Sequence, residues 1–516
     1  MDCHLAPFYE ADIAAGRITR DGAYEIILEL WKKLNIWGCG DTLMQLMVGG
    51  QNADGSDASS ELSVMMLTAS RETARLGMTE PHINVRHHSG IRADLMEEAY
   101  RLQFLGGGQV SVYNDDIIIP EMLACGIPPE IACQYANDGC TEIIWDGCGK
   151  IDFNHIDAVA TLELALRNGK LSPFEREKIR YFHADNTPEV YEPDVVLGYM
   201  SGAAEECSSY DDFYELFMRQ YMFQIDSHLD ELYREDRALR SGAVQALPLL
   251  CGTFDEILDS GIGILEGGLP MNTGVIFLGS VPTVADSLAA LKCVVYRDHL
   301  ATIAQIKDAM LADWVGHEPF RLMLAGAPKF GNDDDEVDLI AKDIVERCLA
   351  HIAKFREHTG MNVFGALLGW RSVQEAYGVG ATPDRRHRKA PIAEHYCATP
   401  GRAVSGITAL INSVAKAPLA KALGTAATQL SLPRSLLRDE RTDMELLRTI
   451  NRVCLKKGLM GYNIAVYDTD TLRRAQANPE SYADIIVRVW GFSARFVNLS
   501  REMQDHVISR TLEVPK

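Results

Sequence analysis

Gly491 stands between two bulky aromatics in Val489-Trp490-Gly491-Phe492, with Phe496 and Val497 close behind. Glycine in such a stretch loses backbone entropy and contributes no packing. One explanation is a tight turn or bulge whose backbone angles only glycine tolerates. The other is chemical. An unpaired electron on a glycine α-carbon is delocalised by the donating amide nitrogen on one side and the withdrawing carbonyl on the other. A Cβ would hinder and twist that planar centre, and surrounding aromatics would shield it from water and oxidants.

A second candidate lies in NDGCTEIIWDG, where Cys140 falls between turn residues and a short apolar run, a pattern that predicts a loop tip. A lone cysteine is usually a small core residue. Thiolate chemistry needs a lowered pKa, and no basic residue occurs in the immediate stretch. Radical chemistry needs only the S–H hydrogen, and the resulting thiyl can abstract hydrogen from a substrate carbon. Glu142 follows two residues on and would point the same way as Cys140 in an extended segment. A carboxylate there could remove a proton as a substrate radical forms; a solvated loop glutamate is the plain alternative.

Positioning these residues falls to alternating helices and strands. Residues 21–35 repeat apolar side chains at helical spacing, with Asp21 available as N-cap. VSVYNDDIIIPEMLACG predicts a strand, an acidic turn and a helix beginning near Pro120. Helices are expected over 156–169 and 211–234. GGLPMNTGVIFLG reads as a bend and a β-run, followed by a helix capped by Ser280 or Thr283. KGLMGYNIAVYDTDTLRRAQ reads as strand, turn and helix, and Ser500 caps a last helix bearing Met503, Val507 and Ile508. Such alternation implies an α/β fold with mostly parallel strands.

Composition narrows the partners. The chain has 516 residues with 72 acidic and 50 basic side chains, for a net charge of −22, which repels phosphate backbones and anionic lipid. Nucleic acid and membrane are therefore not expected. No apolar run approaches the roughly 18 residues of a membrane helix, and MDCHLAPFYEAD has no secretion-signal core. The 12 cysteines are scattered without a C-x-x-C pair, as suits thiols in a cytoplasmic protein. Arg86-His87-His88 lacks metal-ligand spacing, so no metal is expected, although a metal-dependent hydrolase using His87 and His88 is a competing reading. Glu266 is a weaker candidate acid, and Arg385 to Lys389 form a basic patch.

The segment Val487-Arg488-Val489-Trp490-Gly491-Phe492-Ser493-Ala494, with Phe496, Leu499, Gln504, Ile508, Arg510 and Thr511, resembles the C-terminal radical signature of the glycyl-radical enzyme family. That family includes pyruvate formate-lyase, diol and choline lyases and arylacetate decarboxylases. Phe492 replaces the usual tyrosine, and Trp490 a usually small residue. Gly139-Cys140-Thr141-Glu142 resembles the G-C-x-E motif of the lyase and dehydratase branches, in which the cysteine carries the thiyl and the glutamate is the base. Formate-lyase activity is disfavoured, because that enzyme has two adjacent cysteines there.

The resemblance implies a barrel of ten strands in two five-stranded half-barrels, surrounded by helices, with the first half incomplete. It implies a barrel domain over 1–400 and a glycine-radical domain over 401–516. It further implies a cytoplasmic, anaerobic, homodimeric lyase of the dehydratase or decarboxylase type, with Gly491, Cys140 and Glu142 catalytic. No dissociable cofactor is expected; a separate radical-SAM activating enzyme would install the radical on Gly491. The substrate would be a small polar molecule. Relatives extend further at the N-terminus, so a separate chain supplies the missing part, or the sequence is truncated, or the fold is reduced. A radical-carrying partner or repair subunit is the alternative function.

Overall fold

Polar and apolar residues alternate along His82-Ile83-Asn84-Val85-Arg86, and that alternation sets what the surrounding strands hold. In the computed structural model, residues 1–37, 44–172, 177–179, 188–190, 196–242, 247–369, 372–436 and 439–510 are described. The strands in chain order are β1 (Gln45–Gly49), β2 (His82–His87), β3 (Val110–Asn114), β4 (Tyr135–Asp138), β5 (Glu142–Trp145), β6 (Gly149–Asp157), β7 (Glu177–Ile179), β8 (Pro188–Val190), β9 (Met271–Gly279), β10 (Asn362–Leu367), β11 (Thr425–Pro433), β12 (Gly461–Tyr467), β13 (Ile486–Arg488) and β14 (Ser493–Arg495). Two compact units contain them. One comprises Met1–Asp146 and Thr425–Lys516, the other Gly147–Gly424.

In the first unit β1, β2 and β3 run parallel, β12 joins β3 antiparallel, and β11 lies parallel to β12. Side chains alternate across a strand. Ile83 and Val85 of β2 therefore enter an apolar cluster with Trp31, Leu62, Met66, Leu95 and Ala99, from the helices Arg20–Trp37, Glu61–Arg75 and Ala93–Leu105. His82, Asn84 and Arg86 occupy the opposite face and are buried too. Buried polar groups require partners, and those of β2 find them partly in two short hairpins, β4–β5 and β13–β14, and partly in Gln45 of β1 and in Asp115. The second hairpin is seated on Gly107 and Gly108, both at positive φ; a Cβ on Gly108 would lie 2.7 Å from the Arg488 Cβ. A smaller cluster of Tyr467, Leu472, Val487, Phe496 and Val507 packs the C-terminal segment.

In the second unit β6, β9 and β10 are parallel with β9 central, and β7 and β8 form an antiparallel pair. The helix Val281–Leu291 is buried along its whole length, and its polar Thr283 and Asp286 are satisfied by Thr399 and by the Phe330 amide.

The α/β class with mostly parallel strands is borne out. Several details differ from the sequence reading. Asp21 is not an N-cap but lies in the first turn of Arg20–Trp37, and residues 156 and 157 belong to β6 rather than to the helix Ala158–Leu166 that follows. The helix after β3 begins at Asp115, not near Pro120, which lies inside it. Asp115 starts it because its carboxylate is held by buried Arg86 at 2.8 Å and favours the positive helix end. Ser280 holds the N-cap position of its helix in a left-handed conformation but does not cap it; its hydroxyl donates to the Ala393 carbonyl at 3.1 Å. Among the described residues, no helix is long and apolar enough to cross a membrane.

Candidate active site

Gly491 lies in the loop between β13 and β14, where the Val489 amide donates to the Phe492 carbonyl at 2.8 Å. Its φ is not in the left-handed region, so the turn itself does not demand glycine. Space does. A Cβ built on Gly491 would lie 2.0 Å from the Cys140 Cβ, 2.2 Å from its Cα and 2.6 Å from its Sγ. With a carbon–carbon bond of about 1.5 Å, the sulfur is no more than about 4 Å from the Gly491 α-carbon. The tips of the two hairpins are thus in direct contact. Trp490 and Phe492 flank the glycine, ring centroids 6.1 Å apart.

Cys140 occupies the turn of the β4–β5 hairpin, as the loop-tip pattern predicts. Burial, then the charge of Glu142, pushes its thiol well above the usual range, against the opposing pull of Arg488 and of a backbone hydrogen bond from Gly491. The group therefore keeps its S–H hydrogen. This disfavours a thiolate nucleophile and suits hydrogen-atom chemistry.

Glu142 reaches the same place by a different route from the one its spacing suggests. Cys140 is in a turn, so the two residues do not share a strand face. Instead the Glu142 carboxylate folds back and accepts hydrogen bonds from the amides of Cys140 at 2.9 Å and Thr141 at 2.7 Å. It is 3% exposed. Burial raises its carboxyl from 4.5 to about 7, although the Thr141 and Cys140 amides oppose the rise. A proton acceptor poised near neutrality is what general-base work requires.

Several supporting residues carry no chemical signature of their own. Arg488, part of the quoted motif, is 1% exposed and donates to the carbonyls of Trp490 at 3.0 Å and Gly108 at 3.2 Å. His82 Nε2 accepts from the Ser493 amide at 2.8 Å, and the Ser493 hydroxyl donates to Gly107 at 2.6 Å. Arg510 donates to Val489 at 2.6 Å. Tyr113 donates to the Thr141 carbonyl at 3.1 Å, and Arg86 to the Cys133 carbonyl at 2.7 Å. Polar residues alternating along a buried strand were the available signal for His82, Asn84 and Arg86. Gln45, whose Nε2 donates to the Gly491 carbonyl, and Arg488 are placed by pairing over long sequence distances.

Residues 1–373 match the family model described as pyruvate formate lyase-like, and residues 392–497, which include Gly491, match the glycine radical model. The chain belongs to the pyruvate formate lyase-like family of glycyl-radical enzymes. It is 28% identical to trans-4-hydroxy-L-proline dehydratase of Clostridioides difficile over 99% of this chain and 64% of the relative. It is 27% identical to isethionate sulfite-lyase of Bilophila wadsworthia over 99% and 61%. A solved structure on 1,2-propanediol dehydration in Roseburia inulinivorans superposes with a TM-score of 0.86 at 28% identity, covering 99% of this chain and 64% of that one. The chain therefore spans less than two thirds of the length of these relatives.

The remaining sequence candidates lie elsewhere in this family member. His88 contacts Asp57 at 3.2 Å, and burial lowers the pKa of His87. Among the described residues, no group of three or more His, Cys, Asp and Glu side chains is arranged to hold a metal ion. Glu266 is exposed and accepts from the Gly263 amide at 3.3 Å, closing its own turn. Within the basic patch Arg386 is buried and donates to the Ala390 carbonyl at 2.7 Å. It is a structural arginine, and only His387, Arg388 and Lys389 face outward.

Proposed function

We propose that this chain is the radical-bearing catalytic part of a glycyl-radical lyase of the dehydratase or decarboxylase type, acting on a small polar substrate. The contact between Gly491 and Cys140, with Glu142 folded onto the same loop, carries the reading. A separate radical-SAM activating enzyme removes one hydrogen atom from the Gly491 α-carbon. The Cys140 S–H bond then breaks, and its hydrogen atom returns to Gly491. The thiyl takes a hydrogen atom from a substrate carbon while Glu142 accepts a proton from a group on that carbon. A neighbouring C–O, C–N or C–C bond breaks, and the product radical recovers its hydrogen from Cys140. Division into a barrel domain over 1–400 and a glycine-radical domain over 401–516, closure of a ten-stranded barrel, a homodimer and a cytoplasmic setting belong to the same proposal.

A second reading, a radical-carrying or repair subunit that needs another chain to bind substrate, is favoured by one observation. Phe8, Ile26, Ile36 and Trp37 on the first two helices are 71%, 63%, 68% and 75% exposed. Exposed apolar side chains of that size on two successive helices are surface that a partner chain could cover. The test is anaerobic activation followed by assay against small diols, hydroxysulfonates and hydroxylated amino acids, with and without a chain corresponding to the relatives' N-terminal third. Product from the chain alone supports the first reading, and product only with the added chain supports the second. Failure of any competent activase to produce an α-hydrogen-split radical doublet ends both.

Glu142 supplies a separate test. A raised folded-state value means its stabilising contribution is present below 4.5 and lost as pH rises through about 7. Base function needs the ionised form, so turnover rises over that window. Glu142→Gln is expected to remove this limb of the pH–rate profile and to lower turnover by about 10²–10⁴-fold.

A further inference from the structure

Both peptide groups that flank the Gly491 α-carbon are pinned by side chains. Arg488 Nε donates to the Trp490 carbonyl at 3.0 Å, on the amide side. On the other side Gln45 Nε2 donates to the Gly491 carbonyl at 2.8 Å. The Gln45 carboxamide is itself oriented. Asn84 Nδ2 donates to Gln45 Oε1 at 2.9 Å and to Asn137 Oδ1 at 3.0 Å. Rotating the Gln45 amide by half a turn would set two N–H₂ groups against each other, so Asn84 directs the donor end towards Gly491. Asn137 belongs to β4, the strand that leads into Cys140. Three carboxamides on β1, β2 and β4 thus link the glycine carbonyl to the hairpin that bears the thiol.

We propose that Gln45 is a positioning residue that tunes the radical centre, its amide hydrogen bond stabilising the glycyl radical over the thiyl, with Asn84 holding it in register. This rests on the reading of Gly491 as the radical site. Delocalisation from the amide nitrogen through the α-carbon places extra negative charge on the carbonyl oxygen. A donor aimed at that oxygen therefore binds the radical form more strongly than closed-shell glycine. Pinning both carbonyls also keeps the two peptide planes aligned with the α-carbon, which delocalisation requires. The exchange it biases is balanced: one covalent Cα–H bond forms on Gly491 as one S–H bond of Cys140 breaks.

The experiment compares wild type, Gln45→Leu, Gln45→Glu and Asn84→Ala after anaerobic activation, using protein labelled with ¹⁵N in its glutamine side chains. Pulsed hyperfine spectroscopy on the radical should find a weak ¹⁵N coupling in wild type. Gln45→Leu and Gln45→Glu should lose it, the latter without loss of side-chain volume, and Asn84→Ala should weaken it. Radical yield per chain should fall about three- to tenfold in the Gln45 variants, the range expected for one hydrogen bond. A wild-type doublet without the ¹⁵N coupling, or a coupling and yield unchanged in Gln45→Leu, overturns the inference and leaves the radical assignment standing. No doublet in wild type overturns the radical assignment, and this inference with it.

Discussion

Gly491→Ala is expected to give no radical doublet after activation and a loss of turnover on the order of 10⁴-fold, equivalent to about 5 kcal/mol of barrier. Two independent causes converge on this result. The first is electronic: a methyl group on the α-carbon twists the centre that delocalisation needs to keep flat. The second is steric. The new Cβ would lie 2.0 Å from the Cys140 Cβ and 2.2 Å from its Cα, inside any attainable contact, and one of these atoms is backbone. The hairpin tips must therefore separate, at a cost of about 1–3 kcal/mol by comparison with overpacked cores. Electron paramagnetic resonance reads the first effect, and thermal unfolding of the unactivated protein reads the second. An alanine variant with full turnover would remove Gly491 from the chemistry.

That steric requirement could not be read from the sequence. Glycine between Trp490 and Phe492 invited an explanation in backbone angles, yet its φ is ordinary, and the demand comes from a residue 351 positions away. The two motif cores were legible because each is local: the turn residues around Cys140 and the aromatics around Gly491 are contiguous in the chain. Glu142 was assigned to the right loop for an incomplete reason. Spacing by two places side chains together only in a strand, and Cys140 is in a turn; two amide hydrogen bonds bring the carboxylate back instead. The parallel α/β character followed from periodicity. The start of the helix after β3 did not, because the Arg86–Asp115 pair that starts it joins residues 29 positions apart. The alternation in His82-Ile83-Asn84-Val85-Arg86 was visible, but its meaning depends on which strand and which hairpin lie opposite. Register decides that, and a single sequence does not contain it. Arg388 and Lys389 are exposed whereas Arg386 is buried against backbone carbonyls, so charge counting overstated that patch.

Cys140→Ala should separate radical storage from radical use. The substitution removes Sγ and adds no atom, so Gly491 gains room and loses no hydrogen-bond partner of its carbonyl, which is held by Gln45. Activation should still produce the doublet, because the hydrogen atom removed in that step comes from the Gly491 α-carbon. Turnover should fall by the same order as in Gly491→Ala, since the sulfur that lies against Gly491 is gone. Alanine has no weak bond to hydrogen that the glycyl radical could break. The stored radical should also decay no faster on adding substrate, whereas the proposed transfer through sulfur makes substrate speed its decay in wild type. Serine at this position should behave as alanine does, because an O–H bond is much stronger than S–H and the exchange with glycine runs uphill. The decisive measurement is the pair of spectrum and rate on one preparation. A Cys140→Ala protein with both an intact doublet and undiminished product formation would show that hydrogen leaves the substrate by some path other than this thiol, and the contact between the two hairpin tips would then have to be explained by packing alone.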